Sequence, residues 1–347
     1  MPRLTFQGSV KIVTIVSQIK GNPDMKRVAV FTSGGDAPGM NACIRAVVRG
    51  AIYHEVEIFG IRYGYDGMIR GDIFQMSSHS VSNIVQRGGT ILKSARSKEF
   101  TTPEGRRKAY EQLRKWGIEG LIAIGGDGTF TGASIFYNEY ELPTVGAPGT
   151  IDNDLYGTDY TIGFDTAVNT ALEAIDKIRD TADSHDRVFF IEVMGRDSGY
   201  IAIQSGIGGG AELVMVPETL TSVDDVIATL KQGWDRAKTS SIVVVAEGEE
   251  EGTAHEIADK VKEHLKQKDL RVTTLGHVQR GGRPSAFDRI LASRLGLGAL
   301  EGLLAGQKNV AAGIINDKLV YTDFKDAISK EKPLNPDLIR MVNILSI

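Results

Sequence analysis

The strongest constraint on the fold of this chain is a recurring alternation of short apolar runs with helical patterns. The apolar runs are rich in β-branched residues and are found at Val28 to Phe31, Val56 to Ile61, Leu121 to Ile124, Val188 to Val193, Leu213 to Val216, Ile242 to Ala246 and Val272 to Leu275. Between two of them, Ala167 to Ile178 repeats apolar residues with the 3.6-residue period of a helix. This alternation predicts an α/β protein with parallel sheets that are covered by helices on both faces.

Local signals place several helix ends. Thr102-Pro103-Glu104 is typical of a helix start, and Gly117 is typical of the end of that helix. Ser222 followed by Asp225 matches a capping box at the start of another helix. In folds of this class, ligands bind at the carboxyl ends of the parallel strands, so candidate site residues are sought there.

Composition narrows the class of protein. The 347 residues, of which 41% are hydrophobic, are enough for two domains or one large α/β unit. The formal net charge of −4 argues against a nucleic-acid partner, so an anionic substrate requires locally clustered arginines. The single cysteine, Cys43, excludes an intramolecular disulfide and a multi-cysteine metal site, which fits a reducing, cytoplasmic location. No run of about 18 apolar residues predicts a membrane span.

The first 24 residues precede Met25-Lys26-Arg27, which lies directly before a strand and is typical of a natural start. Phe6-Gln7-Gly8-Ser9 resembles the remnant of a protease site. We expect residues 1–24 to be a non-native or disordered extension, and an added edge strand from Val10 to Val16 is the alternative.

Two Gly-rich turns between Gly125 and Asp154 carry the clearest chemical signal. Each follows an apolar run, Leu121 to Ile124 or Thr144 to Ala147, and each is followed by carboxylates. Neighbouring strands that end in glycine and aspartate bring backbone N–H groups and acidic side chains to one sheet edge, where a polyphosphate and its metal can bind. A third turn, Thr32 to Asn41, precedes a helix in the same way. Alone it is equally consistent with a tight packing turn, but together the three turns predict a phosphoryl-transfer site.

Eight motifs in this order resemble those of the 6-phosphofructokinase family, in its bacterial ATP-dependent branch. The motifs are Thr32 to Asn41, Gln86 to Thr90, Gly125 to Thr129, Pro148 to Asp154, Gly157 to Phe164, Val193 to Arg196, Leu275 to Gly282 and Phe287 to Ser293. The resemblance covers the chain from Met25 onward. It implies two Rossmann-like three-layer α/β/α domains with mostly parallel sheets. It also implies an ATP-binding domain of residues 25–163 plus about 279–328, and a fructose-6-phosphate-binding domain of residues 164–278 plus about 329–347.

The resemblance implies ATP-dependent phosphorylation of fructose 6-phosphate at its 1-hydroxyl, giving fructose 1,6-bisphosphate and ADP, the committed step of glycolysis. Asp127 would hold Mg²⁺, and the other residues at the nucleotide would be Gly35, Tyr65, Arg96, Ser97, Gly126, Gly128 and Thr129. An isolated aspartate more often caps a turn, and the aromatic rings of Tyr65 and Phe100 are also consistent with packing.

Asp152 is the general base that the resemblance implies, because an ordinary carboxylate is ionised near neutral pH and can accept the hydroxyl proton. Asp154 is the alternative. Thr150 would assist catalysis, and Arg96 and Arg196 would clamp the transferred phosphate, although most arginines are simply solvated. The residues that would bind the sugar phosphate are Thr150, Ile151, Asp152, Arg187, Met194, Gly195, Arg196, Glu247, Arg271, His277 and Arg280.

In the family, the residues matching Arg187 and Arg271 reach a neighbouring subunit's site, so the resemblance implies a homotetramer with shared active and effector sites. The effector site would comprise Arg45, Arg49, Arg179, Gly210, Glu212, Arg236 and Lys238. The chain departs from the family at that site, with Ser78 replacing a frequent arginine, Asn83 an acidic residue and Thr239 a frequent lysine. Fewer cations predict weaker binding of phosphoenolpyruvate.

Three other functions share part of this pattern. Pyrophosphate-dependent relatives usually carry aspartate and lysine where this chain has Gly128 and Gly149. A non-catalytic sugar-phosphate-binding subunit should have lost one of Asp127, Asp152, Arg96 or Arg196, and all are present. A lipid or nicotinamide-nucleotide kinase shares the Gly125 to Thr129 turn, but not the other motifs.

Overall fold

The structure is a computed structural model that describes residues 25–236 and 238–345. Residues 1–24, with the predicted remnant and the alternative edge strand, lie outside the described residues. The chain divides into two compact units. The first unit holds described residues 25–150, Leu155–Ile162 and Pro284–Glu331, and the second holds Ile151–Asp154, Gly163–Arg283 and the chain from Lys332 onward. Within the described ranges, no helix combines the length and apolarity needed to cross a bilayer.

Strands and helices alternate along most of the chain. The strands are β1 (Arg27–Thr32), β2 (Glu57–Ile61), β3 (Ile73–Gln75), β4 (Gly120–Gly125), β5 (Thr144–Pro148), β6 (Val188–Val193), β7 (Leu213–Met215), β8 (Ser241–Ala246), β9 (Leu270–Thr274), β10 (Val310–Ile315) and β11 (Lys318–Asp323). The α-helices are α1 (Met40–Tyr53), α2 (Gly64–Arg70), α3 (Pro103–Lys115), α4 (Asp127–Tyr140), α5 (Phe164–Ser184), α6 (Tyr200–Gly208), α7 (Val223–Asp235), α8 (Ala254–His264), α9 (Ala286–Leu304), α10 (Phe324–Ser329) and α11 (Pro336–Leu345). Short 3₁₀ helices span Ser78–Val81, Glu99–Thr101 and Gly276–Arg280.

The first unit contains a seven-stranded sheet in the order β11-β10-β5-β4-β1-β2-β3. All neighbours are parallel except the pairs β2–β3 and β10–β11, which are antiparallel. The chain leaves β1 toward β2 on one side and reaches β4 on the other side. The boundary between β1 and β4 is therefore the point where strand order reverses, which is where open α/β sheets bind ligands.

Helices cover both faces of this sheet. On one face, Phe31, Leu121 and Ala123 pack in a buried cluster with Leu113 of α3 and Phe136 of α4. The intervening strand residues are also buried, because α1 and α9 pack together on the other face. Burial on both faces explains why the strands are continuously apolar rather than alternating.

The second unit contains a parallel four-stranded sheet in the order β7-β8-β6-β9. Val188, Phe190 and Val243 pack on one face against the apolar sides of α7 and α8. α5 and α6 pack on the other face. Helices α7 and α8 each begin with a capping box, formed by Ser222 with Asp225 in α7 and by Thr253 with Glu256 in α8.

The predicted fold class is confirmed: each unit is a three-layer α/β/α arrangement with a mostly parallel sheet. The predicted strands lie within about two residues of the observed ones, and α3 is capped by Thr102, as expected, with Gly117 just beyond its end at φ 65°. The sequence reading did not identify β3, β10 or β11. All three lie toward the edges of the first sheet, where strand formation depends on the partner strand.

Candidate functional site

The Gly-rich turns of the first unit meet at one edge of its sheet. β4 and β5 run parallel with Ile124 opposite Ala147, and the N–H of Gly149 donates to the carbonyl of Gly125 at 3.0 Å. The N–H of Ser33, after β1, donates to the carbonyl of Ile124 at 3.0 Å. The predicted neighbourhood of the turns after β1, β4 and β5 is therefore present.

The turn from Gly125 to Thr129 is held by close packing. A Cβ at Gly125 would lie 2.3 Å from Oγ1 of Thr129 and 2.6 Å from the carbonyl oxygen of Ser33, so only glycine fits. The Thr129 hydroxyl donates to that same Ser33 carbonyl at 3.1 Å. Asp127 is the first residue of α4, and both it and Gly128 are exposed. A carboxylate is thus presented at a helix start, beside the positive end of the helix dipole.

Tyr65 and Phe100 are buried behind this turn. Tyr65 is 6% exposed, stacks on Phe100 with ring centroids 3.9 Å apart, and donates its hydroxyl to the carbonyl of Thr129 at 2.6 Å. Burial raises the pKa of the Tyr65 phenol well above its usual range. Tyr65 therefore supports the backbone of the turn from within the core.

A cleft of about 620 Å³ lies at the carboxyl end of β1 in the first unit. Its lining includes Gly34, Gly35 and Asp36 from the turn after β1. It also includes Arg87, Lys93 and Ser94, which lie in the stretch between the 3₁₀ helices Ser78–Val81 and Glu99–Thr101. Neither Arg87 nor Lys93 forms an ion pair with any described residue. The cleft therefore combines glycine backbone with two cations, a combination suited to an anion.

Arg96 and Ser97 follow the cleft-lining residue Ser94 along the chain. Arg96 is exposed, and Ser97 accepts a hydrogen bond from the N–H of Phe100 at 3.3 Å. The segment is fixed by buried Arg106, which donates to the carbonyls of Phe100 and Thr101 and pairs with Glu139 at 2.6 Å. The hydrogen bond from Arg106 holds the pKa of Glu139 below its usual range.

In the second unit, most predicted sugar-phosphate residues follow the carboxyl ends of three adjacent strands. Met194, Gly195 and Arg196 follow β6, Glu247 follows β8, and His277 and Arg280 follow β9 in the 3₁₀ helix Gly276–Arg280. Oε2 of Glu247 accepts from the backbone N–H of Arg196 at 3.3 Å. The structure therefore brings these residues to one edge of the sheet.

Arg196 has an unusual backbone conformation. Its φ is 55°, in the left-handed region, and Gly195 before it has a φ of 153°. A left-handed non-glycine residue costs about 1–3 kcal/mol and tends to occur at functional sites. The N–H of Ser198 donates to the carbonyl of Gly195 at 3.0 Å and closes the turn. The Arg196 side chain is 59% exposed.

The segment from Thr150 to Asp154 crosses from the first unit to the second after Thr150. The carbonyl of Thr150 accepts from the Thr161 hydroxyl at 2.7 Å within the first unit. In the second unit Ile151 and Asp152 are buried, and the backbone carbonyl of Asp152 accepts from the Ser198 hydroxyl at 3.2 Å. Ser198 therefore ties Asp152 to the turn that carries Arg196.

Arg187 and Arg271 lie at the opposite, amino-terminal edge of the second sheet. Both guanidinium groups pair with Asp269, at 2.7 Å from Arg187 and 3.0 Å from Arg271. The hydrogen bond from Arg187, with the charge of Arg271, lowers the pKa of Asp269. Within one chain, these two arginines are separated from Arg196 and Glu247 by the length of β6, roughly 20 Å.

The predicted effector residues are distributed over both units. Arg45 and Arg49 lie on α1 in the first unit. In the second unit, Arg179 donates to the carbonyls of Gly209 and Gly210, and Lys238 pairs with Glu212 at 3.4 Å. Arg236 follows α7. Arg179, Gly210, Glu212 and Lys238 thus form one cluster at the start of β7.

Four residues that line or support these sites were not among the site residues predicted from the sequence. Arg87 and Gln279 lie inside motifs that had been identified, so their motif membership was a usable signal. Lys93 lies in the stretch Lys93-Ser94-Ala95-Arg96 that carries Arg96, so it had the same signal. Asp269 carries no such signal, because it matters through its pairing with Arg187, 82 residues away in the sequence.

No group of three or more histidine, cysteine, aspartate or glutamate side chains converges on a metal position in the described ranges. Mg²⁺ in phosphoryl-transfer enzymes is usually held by one or two carboxylates, water and the substrate phosphates. The exposed carboxylate of Asp127 fits that mode of binding.

Comparison with known proteins identifies the family. The family model described as Phosphofructokinase matches residues 27–303. The chain belongs to the phosphofructokinase family. It is 65% identical to a Cytophaga hutchinsonii protein named ATP-dependent 6-phosphofructokinase over 93% of this chain and 98% of that protein. It is 58% identical to a Thermus thermophilus protein named ATP-dependent 6-phosphofructokinase 1, over 93% and 100% of the two chains.

Solved phosphofructokinases have the same fold. The Saccharomyces cerevisiae phosphofructokinase structure matches with a TM-score of 0.85 and 34% identity, covering 93% of this chain and 48% of that one. A pyrophosphate-dependent phosphofructokinase from Marinobacter aquaeolei matches with a TM-score of 0.80 and 23% identity, over 92% and 91% of the two chains. At that identity the similarity concerns the fold alone.

Proposed function

We propose that this phosphofructokinase-family chain transfers the γ-phosphate of ATP to the 1-hydroxyl of fructose 6-phosphate, giving fructose 1,6-bisphosphate and ADP. The observation that carries this proposal is the identity of 65% and 58%, over nearly full length, to proteins named for the ATP-dependent reaction. The presence of Asp127, Asp152, Arg96 and Arg196 argues against a non-catalytic subunit.

The first unit would bind the nucleotide. Gly35, Gly126, Gly128 and Thr129 would shape the site for the phosphates, and Arg96 and Ser97 would contact them. Asp127 would hold Mg²⁺, which when bound neutralises charge on the phosphates. The ATP-binding domain is proposed to span residues 25–163 plus about 279–328, and of that range Ile151–Asp154, Gly163 and residues 279–283 belong to the second compact unit.

The second unit would bind fructose 6-phosphate through the residues at the carboxyl edge of its sheet. Asp152 would take the proton from the 1-hydroxyl, and Arg196 would stabilise charge on the transferring phosphate. Glu247 and the backbone of Met194 and Gly195 would contact the sugar, and His277 and Arg280 its 6-phosphate. Residues 164–278 plus about 329–347, the range that the resemblance implies for this domain, hold most of these residues, and Asp152 and Arg280 lie outside that range in the same compact unit.

The two glycines that distinguish ATP from pyrophosphate dependence have different surroundings. A Cβ at Gly128 would meet no heavy atom within 4 Å, so this fold has room for the aspartate that pyrophosphate-dependent relatives carry there. The chain nevertheless has glycine at that position. A Cβ at Gly149 would lie 3.1 Å from both Ile124 and Met40, so a lysine would require rearrangement. Both observations support ATP.

A coupled assay of fructose 1,6-bisphosphate formation, with either ATP or pyrophosphate as donor, tests the proposal. We expect turnover with ATP and none above background with pyrophosphate. Turnover with pyrophosphate alone would establish the alternative, and no turnover with either donor would favour a binding subunit.

We propose a homotetramer in which Arg187 and Arg271 complete the sugar-phosphate site of a neighbouring subunit. The support is their position at the sheet edge opposite to Arg196 and Glu247, too far for one sugar phosphate to touch both sets in one chain. Sedimentation is expected to give a tetramer, and Arg271→Met to raise KM for fructose 6-phosphate about tenfold, as for a lost charged hydrogen bond. An active monomer would contradict this arrangement.

The effector site is proposed at Arg45, Arg49, Arg179, Gly210, Glu212, Arg236 and Lys238. Because Ser78 and Thr239 stand where many relatives have an arginine and a lysine, the site has fewer cations, and we expect little or no inhibition by phosphoenolpyruvate. Ser78 is exposed at the start of a 3₁₀ helix, so Ser78→Arg adds a cation without disturbing the core and should strengthen inhibition. Inhibition of the unaltered enzyme at sub-millimolar phosphoenolpyruvate would refute this prediction.

A further inference from the structure

Gln279 is a buried polar side chain to which the proposed reaction gives no role. It lies in the 3₁₀ helix Gly276–Arg280, between His277 and Arg280, and is 0% exposed. Its Oε1 accepts a hydrogen bond from the backbone N–H of Met194 at 2.9 Å. Met194 is the residue directly after β6. One side chain therefore joins the two segments proposed to bind the sugar and its 6-phosphate.

The segment that Gln279 contacts needs external support. Arg196 has a left-handed φ of 55°, and such a conformation persists only where surrounding contacts fix it. Glu247 accepts from the N–H of Arg196 at 3.3 Å, and Gln279 accepts from Met194 two residues earlier. The conformation of Arg196 is therefore fixed from both of these sides.

Packing stability does not explain a glutamine at this position. Its Nε2 is buried and has no hydrogen-bond partner among the described residues. A buried donor without a partner destabilises a fold, whereas methionine would occupy a similar volume without that defect. The useful feature of Gln279 is its acceptor oxygen, which faces Met194.

We propose that Gln279 is a positioning residue for phosphoryl transfer. By holding the Met194 N–H, it keeps the turn with Arg196 and the segment from His277 to Arg280 in one arrangement, so that the sugar phosphate and the transferring group are aligned together. This inference rests on the proposed function.

Gln279→Met and Gln279→Glu separate this role from packing. Methionine removes the acceptor, whereas glutamate keeps an oxygen in the place of Oε1 but brings a carboxyl group into a fully buried site, where its neutral, protonated form is favoured. For Gln279→Met we expect kcat to fall and KM for fructose 6-phosphate to rise, each roughly tenfold, with KM for ATP within about twofold. The melting temperature should change little. Gln279→Glu should lose less activity than Gln279→Met, and the difference should grow toward lower pH, where the buried carboxyl group is protonated.

Val278→Ala is the matched control, because Val278 lies in the same 3₁₀ helix but is 62% exposed. For each variant, the affinity for fructose 6-phosphate is measured by calorimetry in addition to kcat and KM. Kinetic constants and affinity of Gln279→Met within twofold of the unaltered enzyme would overturn the inference, and so would losses that are equal in the methionine and glutamate variants at every pH tested. An unaltered protein that binds fructose 6-phosphate without turnover would refute the proposed function, while the affinities of the variants would still test the role of Gln279.

Discussion

Replacing Asp152 with serine is expected to lower kcat by about 10²- to 10⁴-fold, while fructose 6-phosphate still binds. Serine cannot accept the proton of the 1-hydroxyl at neutral pH, so the attacking oxygen would lose its general base. The backbone of Asp152 is held through its carbonyl by the Ser198 hydroxyl, so a change of side chain should leave the segment in place. Steady-state kinetics and calorimetric binding of the sugar phosphate provide the measurement.

Asp154→Ser is the matched comparison, because Asp154 is the other carboxylate of the same segment. It should retain most of the activity. If Asp154→Ser abolished turnover while Asp152→Ser remained near the unaltered rate, the base would be Asp154.

Replacing Arg196 with asparagine is expected to lower kcat by about 10³-fold or more, the scale at which arginines contribute to phosphoryl transfer. Asparagine tolerates the left-handed backbone better than most residues, so this variant removes the guanidinium without adding conformational strain at φ 55°. A lysine variant tests whether charge alone is sufficient, since lysine cannot form the bidentate contact.

Arg340→Met is the control for loss of an exposed arginine in the same unit. It should have unaltered kinetics. A near-normal kcat for Arg196→Asn with a normal melting curve would show that Arg196 does not act on the transferred phosphate.

The sequence predicted the structure well where a binding motif directly follows a strand. Two apolar runs ending in glycine predicted adjacent parallel strands, and β4 and β5 pair in that way. The apolar pattern also predicted the faces of α5, because a helix buries residues at a fixed period.

Other features depend on contacts between distant residues and could not be predicted. The hydrogen bond from Met194 to Gln279 joins positions 85 residues apart, and no periodicity encodes it. β3 has only three residues and forms by pairing with β2. The left-handed φ of Arg196 is likewise imposed by surrounding contacts, since arginine has no intrinsic preference for it.

The position of β10 has a consequence for biosynthesis. β10 pairs with β5 through Val310 and Val145, yet Gly163–Arg283 of the second unit is encoded between them. At ribosomal rates of about 5–20 residues per second, β5 is made roughly 10 to 30 s before its partner. For that interval the nascent chain carries an open strand edge, the kind of surface that chaperones shield and that aggregates recruit. The sheet whose synthesis starts first is therefore the last to be completed.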